Sequence, residues 1–309
     1  MKLRYVSGPN PATCDDSSQT FLHRTAFHFA ANGWRGSHIF WKMVLKFQGI
    51  PDNKLITLPN GFRLTTQNSD WNRTSVYKGQ YDRSLISFLA LIKPAALVID
   101  VGANIGLTIW TALSNSSSDS SFLALEPQPA CFEDLRLFSQ IYTDRGFVLQ
   151  TAAGDKSGYL EMYGTTGNAN SGGASLMKHA DVKGDAIRVK VETLDKILKE
   201  VSLQNRPISL LKIDTEGYEE YVLKGAQETF RRNLPDVIVI EISPAFGSVT
   251  YLNKLWQDFS LTHNFFELTE LGLIRRRAHL IPVELESALR LERQINLVVL
   301  NRCMLHEFM

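Results

Sequence analysis

Apolar residues gather in short blocks between positions 97 and 300, separated by stretches whose apolar positions recur at helical spacing. Six blocks stand out, at 97–101, 122–126, 147–151, 208–213, 237–242 and 297–300. A strand covered on both faces reads as such a nearly continuous run, because neither face meets water. Between the blocks, 129–142 carries Phe132, Leu135, Leu137, Phe138 and Ile141, and 218–230 carries Tyr221, Val222, Leu223 and Ala226. Each predicts one crossover helix. Alternating strands and helices predict a doubly wound α/β domain around a mostly parallel sheet with helices on both faces.

Two regions break this rhythm. Residues 152–186 are rich in Gly, Ser, Thr and Asn, with Gly164, Gly167, Gly172 and Gly173, and predict a loop with at most a hairpin. Its position favours a lid on the substrate side over plain flexibility. Residues 1–80 precede the alternating pattern and predict an N-terminal extension to a domain at 81–309. Within the extension, 18–47 is dense in aromatic residues and is divided by Gly33 and Gly36 into two expected helices. Core packing explains that density better than a membrane-surface or dimer role. Pro59-Asn60-Gly61 between alternating residues predicts a hairpin.

Composition narrows the class. In 309 residues, 44% are hydrophobic and 21% charged, enough to build a full core. A net charge of +1 gives no whole-chain field for nucleic acid, and the basic runs at 231–232 and 275–277 suit solvated faces. Cys14, Cys131 and Cys303 are far apart and form no CxxC pair, which favours a reducing, cytoplasmic setting over a disulfide framework. The start lacks a signal-peptide layout, and the longest apolar stretch, 85–101, is interrupted by Ser87, Lys93, Pro94 and Asp100, so no membrane span is expected.

The sharpest chemical signal is Val-Ile-Asp-Val-Gly-Ala-Asn-Ile-Gly at 98–106. A buried strand ends at Asp100 and Val101, and a glycine turn opens a helix near Ile105. Gly102 and Gly106 allow close backbone approach to a ligand, and a helix start offers free N–H groups to a carboxylate. A nicotinamide-type loop needs a glycine where Asn104 stands, and a phosphate loop needs Gly-Lys-Ser/Thr where Gly106, Leu107 and Thr108 stand. Glu126 follows Gly106 by 20 residues at the end of the next strand, where an acid accepts hydrogen bonds from ribose hydroxyls. Loop and acid together point to an adenosyl ligand.

With these residues in view, the chain resembles the FkbM family of methyltransferases. Residues 98–106 resemble the family's first cofactor motif, Leu-Glu-Pro-Gln-Pro at 125–129 its second, and Ala152-Ala-Gly-Asp155 the segment after the third strand. Ala174-Ser-Leu176 and Val-Glu-Thr-Leu-Asp at 191–195 resemble its mid-domain markers. Leu-Lys-Ile-Asp-Thr-Glu-Gly at 211–217, followed by Leu-Lys-Gly-Ala at 223–226 and by 235–241, is the most specific match. Gly79-Gln-Tyr-Asp82 resembles a marker ahead of the domain, with Asp82 where the family has Glu. The resemblance covers about 80–300 and implies a Rossmann-like class I methyltransferase fold, with a seven-stranded sheet and one antiparallel edge strand. It implies S-adenosyl-L-methionine as methyl donor and, as a rule, a hydroxyl oxygen as acceptor, here on a small molecule or glycan. Asp100, Gly102, Asn104, Gly106, Glu126 and Ala152 are the candidate donor-binding residues.

Asp214 and Glu216 close the fourth apolar block, and ligands in open α/β sheets bind beyond the carboxyl ends of the strands. Lys212 and Asp214 share a strand face. Asp214, Glu216, Lys212 and Glu241 are therefore the catalytic candidates: a carboxylate to take the acceptor's proton or favour a sulfonium, and a lysine to orient it or steady an alkoxide. The competing explanation is structural, with Asp214 and Glu216 capping the next helix and Lys212 pairing with one of them. The three acids offer oxygen ligands to a hard cation, but no histidine cluster accompanies them and no obligate metal is expected. A non-catalytic adenosyl-binding module stays open beside the enzyme, and a nicotinamide-dependent oxidoreductase is disfavoured by the glycine spacing.

Overall fold

The computed structural model describes residues 21–139, 145–164, 171–178, 186–246, 249–272 and 277–308. Cys14, His179, most of the basic run at 275–277 and part of the 152–186 insertion lie outside them. The elements in chain order are α1 (Phe21–Ala31), α2 (Ser37–Gln48), β1 (Leu55–Thr57), β2 (Arg63–Thr65), α3 (Trp71–Tyr77), α4 (Arg83–Leu89), β3 (Leu97–Val101), α5 (Leu107–Ser114), β4 (Ser121–Leu125), α6 (Pro129–Ser139) and β5 (Gly146–Leu149). There follow β6 (Ala152–Ala153), β7 (Gly158–Met162), β8 (Ile187–Glu192), α7 (Leu194–Glu200), β9 (Ile208–Ile213), α8 (Glu219–Lys224), α9 (Gln227–Arg232), β10 (Val237–Ile242), α10 (Leu252–Phe259), β11 (His263–Leu271), β12 (Arg277–Pro282), α11 (Leu285–Leu289) and β13 (Ile295–Asn301).

The main sheet runs β12-β11-β13-β10-β9-β3-β4-β5. Its pairings from β10 through β9, β3 and β4 to β5 are parallel, and β13, β11 and β12 pair antiparallel beyond β10. The fold is the expected Rossmann-like α/β architecture, but the sheet has eight strands, not seven. The additional one is β12, the return arm of a hairpin with β11, and the antiparallel β13 lies inside the sheet rather than at its edge. The parallel strands are buried along their whole length in β3, β4 and β9, which is why their sequences carry no polar face. Two apolar clusters cover opposite sides of the sheet: one around Ile99, Leu123, Leu211 and Ile240, the other around Val98, Phe122, Leu210 and Val239.

Two expectations for single elements need revision. The helix expected across 218–230 is broken into α8 and α9. A Cβ on Gly225 would stand 1.9 Å from the Gly154 carbonyl oxygen, so the chain turns there under a close backbone contact. The Asp195 carboxylate then restarts the helix by accepting from Glu228 N (2.9 Å) and Thr229 N (2.8 Å). The 152–186 segment is more than loop: β6 and β7 flank β8 in a three-stranded sheet, extended by a bridge between Tyr163 and Ser175.

The N-terminal region forms the two helices and the hairpin expected of it. They share a cluster with the body of the fold, in which Phe27, Trp41, Ile56 and Val76 pack with Ile105, Leu107 and Cys131. Polar ties reinforce it: the Arg73 guanidinium donates to the Asp134 carboxylate, and Thr65 Oγ1 donates to the same carboxylate at 2.7 Å. Among the described residues, no helix is long and apolar enough to cross a membrane.

Candidate functional site

A cavity of about 570 Å³ opens beyond the carboxyl ends of β3, β4, β9 and β10. That is where an α/β sheet places its ligand crevice, because the loops there diverge to the two faces.

One side is built by the turn after β3 and the end of β4. Gly102 takes φ +79°, and a Cβ there would fall 1.8 Å from the Asp214 carbonyl oxygen, so only glycine fits between the two strand ends. Asn104 also has a left-handed backbone, which asparagine tolerates better than most residues. The Glu126 side chain is buried at the cavity wall, and each of its oxygens accepts from a backbone amide: Oε2 from Asn104 N and Oε1 from Gln128 N, both at 2.8 Å. Burial pushes Glu126 up to about 7, against the two amides, which lower it. Gly102, Asn104, Glu126 and Ala152 line the cavity. Asp100 and Gly106 do not. Gly106 instead starts α5 with a left-handed backbone, so the loop rather than the helix start meets the cavity.

The other side is carboxylate-rich. Asp214, Glu216 and Glu241 each present an oxygen within 4.8 Å of the others. Glu216 and Gly217 both take positive φ and turn the chain sharply after β9. The competing structural explanation holds only in part: Lys212 pairs with Asp214, but neither Asp214 nor Glu216 caps α8, whose start has no side-chain cap, and Glu219 braces the turn ahead of it. Its Oε1 accepts from Thr215 N (2.9 Å), Thr215 Oγ1 (2.9 Å) and Gly217 N (3.1 Å). Asp214 and Glu216 are left facing the cavity. Glu241 Oε1 accepts from the Gln294 side-chain amide, while its buried Oε2 has no hydrogen-bond partner among the described residues. Burial, reinforced by neighbouring Asp214, pushes Glu216 up to about 8 and Glu241 to about 10.

Beneath both sides sits Lys212, buried and outside the cavity lining. Its Nζ lies 3.1 Å from Asp214 Oδ2 and 3.5 Å from Asp100 Oδ1, and donates to the Gly102 carbonyl at 3.4 Å. Burial opposes the charge, but Asp214 and Asp100 outweigh it and hold the ammonium's pKa above its usual value. Asp100, equally buried, is raised by burial and relieved by Lys212. Asp100 thus serves the lysine, not the cavity.

Several lining residues were given no site role in the sequence, Tyr81 and Asp82 among them although both belong to the marker at 79–82. Tyr81 and Asp82 line the cavity from the start of α4; Asp82 Oδ1 accepts from Leu85 N (3.1 Å) and Oδ2 from the Asn296 amide (2.9 Å). Burial raises Asp82. Trp71 and Asn72 reach in from α3, and Gly172 approaches so closely that a Cβ would lie 2.0 Å from Asn72 Nδ2. The adjacent glycines 172 and 173 were the available signal. Ser175, fully buried, ties this insertion to the turn after β9 by donating to the Glu216 carbonyl at 2.6 Å.

Comparison with known proteins gives the following. No curated protein matches the chain. Among solved structures, precorrin-6y C5,15-methyltransferase from Geobacter metallireducens is 9% identical, over 72% of this chain and 89% of that one, with a TM-score of 0.39. Precorrin 8w decarboxylase from Methanobacterium thermoautotrophicum is 10% identical, over 70% and 87%, with a TM-score of 0.33. The C-terminal domain of precorrin-6Y C5,15-methyltransferase from Rhodobacter capsulatus is 11% identical, over 71% and 89%, with a TM-score of 0.34. The model of the methyltransferase FkbM domain matches residues 100–267, more than half of the chain and all of the loop, strand and turn that build the cavity floor. The chain belongs to the FkbM family of methyltransferases.

Proposed function

We propose that the cavity binds S-adenosyl-L-methionine and passes its methyl group to a hydroxyl oxygen of a small molecule or glycan. The observation that carries this is the division of one cavity into an adenosyl-type side, with Gly102, Asn104 and Glu126, and a carboxylate side, with Asp214, Glu216 and Glu241. The residues fit such a donor. The buried Asn104 side-chain oxygen has no hydrogen-bond partner among the described residues, so a donor group on the ligand would satisfy it. Glu126 already holds two amides, yet each carboxylate oxygen has a second lone pair for a ribose hydroxyl.

The bound donor supplies a methyl group on a sulfonium, which is already a good leaving group. The protein's task is then positioning, charge and proton removal. Asp214 accepts the acceptor's proton as the new C–O bond forms. Glu216 and Glu241 hold protons near neutral pH and would give them up as a cationic donor came close, so their negative charge would appear where the ligand brings its counterpart. Lys212 is a positioning residue: it holds Asp214 and, through the Gly102 carbonyl, the donor-side loop. We assign 81–309 as the catalytic domain and 1–80 as an extension that lends Trp71 and Asn72 to the cavity wall. Titration calorimetry with S-adenosylhomocysteine tests the donor assignment. Saturable binding that Glu126→Ala abolishes is expected, and no heat from the purified protein would refute it.

A further inference from the structure

The α1–α2 hairpin has two unlike sides. Its inner side is accounted for: Ala26, Phe27, Ala30, Trp41 and Val44 are buried in the N-terminal cluster, and Trp41 Nε1 donates to the Lys78 carbonyl at 3.0 Å. Its outer side is not. Phe21 is 82% exposed, Ile39 58%, Met43 53% and Phe47 74%. On α2 the exposed apolar residues 39, 43 and 47 follow one another at four-residue spacing and form a stripe along the helix. A second stripe runs directly beside it through His38, Lys42 and Lys46, all exposed. Arg24 and Arg35 are exposed on the same hairpin, and Trp34 stacks edge-on to Phe29 at 6.0 Å. Residues 21–48 contain four Arg and Lys and no Asp or Glu, so a chain of net charge +1 carries −3 elsewhere. The hairpin thus exposes four cations and carries no acid to offset them.

We propose that the outer side of the α1–α2 hairpin docks on an anionic lipid surface, with Ile39, Met43 and Phe47 entering the headgroup boundary and Lys42, Lys46, Arg24 and Arg35 meeting lipid phosphates. A helix that lies in an interface plane shows this pairing of an aromatic and aliphatic stripe with flanking cations. The alternatives fit the charges less well. A second copy docked through the same side would bring the cation stripes of both chains together, and Lys42 and Lys46 already repel each other at i, i+4. A nucleic acid would satisfy the cations but gain little from the exposed aliphatic stripe. The surface is peripheral, since among the described residues no helix is long enough to span a bilayer. The inference is independent of what the cavity binds.

The test is cosedimentation of the full chain with vesicles. Phosphatidylcholine vesicles with one third phosphatidylserine should bind the protein, plain phosphatidylcholine vesicles should bind it at least tenfold more weakly, and added salt should weaken the former. Lys42→Glu combined with Lys46→Glu should reduce partitioning at least tenfold. So should the triple variant Ile39→Ser, Met43→Ser, Phe47→Ser, and both should melt as the parent does because all five side chains are exposed. If the triple variant melts early, the charge-reversal variant alone decides. Four results would overturn the proposal: no binding to either vesicle; binding untouched by the charge reversal; a dimer by light scattering that the triple variant splits, without vesicle binding; or RNA binding lost in the charge-reversal variant, again without vesicle binding.

Discussion

The two sides of the cavity solve opposite electrostatic problems. On the donor side, one buried carboxylate, Glu126, is held by two backbone amides at 2.8 Å, which offset part of the burial that lifts it to about 7. On the reaction side, three carboxylates converge within 4.8 Å with one buried ammonium, that of Lys212, below them. Lys212 contacts Asp214 and not Glu216 or Glu241 within ion-pair distance among the described residues. The excess of acid groups over cations is therefore built in, and it shows as raised proton affinity in Glu216 and Glu241. A site whose acids keep their protons for want of a counter-charge is prepared for a cation that arrives with the ligand. A site whose acid already has two amide partners is prepared for a neutral, hydroxyl-bearing group.

The comparison breaks hardest at Asp214. Asp214→Asn keeps shape and removes the proton acceptor, so kcat should fall by about 10²–10⁴-fold. The affinity for S-adenosylhomocysteine should stay within a fewfold of the parent, because that neutral product needs no acid on the reaction side. Single-turnover kinetics and titration calorimetry on the same preparation separate the two effects. Equal loss of turnover and product binding would mean that Asp214 supports the donor side instead.

Glu126→Gln should act the other way round. The amide cannot accept at both ends, and one of the Asn104 and Gln128 N–H groups would face a donor. Losing hydrogen bonds to a charged group costs about 1.5–3 kcal/mol, or roughly 10–100-fold in donor and product affinity alike. At saturating donor, turnover should recover much of its parent value. A kcat defect that saturation does not repair would place Glu126 in the chemical step.

The donor side was the more legible of the two from sequence, for a physical reason. Its parts are contiguous: a buried strand, a glycine turn with Gly102 and Asn104, and an acid one strand later. Backbone demands of this kind leave fixed spacings. The parallel strands were legible likewise, because β3, β4 and β9 are buried on both faces and read as unbroken apolar runs. The hairpin of β11 and β12 was not, since its mixed burial puts polar residues such as Asn264, Glu267 and Glu270 among the apolar ones. On the reaction side Asp214, Glu216 and Glu241 were found as strand ends, but their convergence is tertiary. So is the part played by Glu219, whose capping of the 215–217 turn leaves Asp214 and Glu216 free for the cavity. Asn72 and Gln294 reach the cavity from distant segments, and spacing carries no trace of that. Gly106 was legible as a turn glycine yet belongs to the start of α5 and not to the cavity.

Proton linkage sharpens the comparison with a smaller effect. Glu216 titrates near 8 in the folded protein, above the ordinary glutamate value of 4.5, so around neutral pH the carboxylate cluster retains protons. A raised carboxylate pKa means the folded state binds more protons than the unfolded chain between those two values. Its contribution to stability is therefore largest at low pH and is lost as pH rises through that window. A sulfonium entering the cluster should expel a proton. Donor affinity relative to neutral product should then rise with pH up to about 8, by at most about tenfold per unit for each proton released. Glu126 affects both ligands equally through their shared ribose, so it cancels in the ratio. Calorimetry in two buffers of different ionisation enthalpy should show proton release for the donor and less for the product. Equal release for both would remove the sulfonium from the reaction side.

The smallest expected effect is none, and it bears on the same excess charge. Asp214, Glu216 and Glu241 present oxygens at spacings a hard divalent cation could bridge. If the sulfonium is the cation these acids await, a metal would compete with it for the same charge and would bring no added rate. Turnover measured after exhaustive chelation, with and without added magnesium, should then agree within twofold, and millimolar magnesium should raise the apparent KM for the donor rather than kcat. Loss on chelation with full recovery on magnesium would assign the excess charge to a metal. In that case Glu241→Gln should weaken the magnesium dependence, since the unpartnered Oε2 of Glu241 is the oxygen best placed to serve as a ligand.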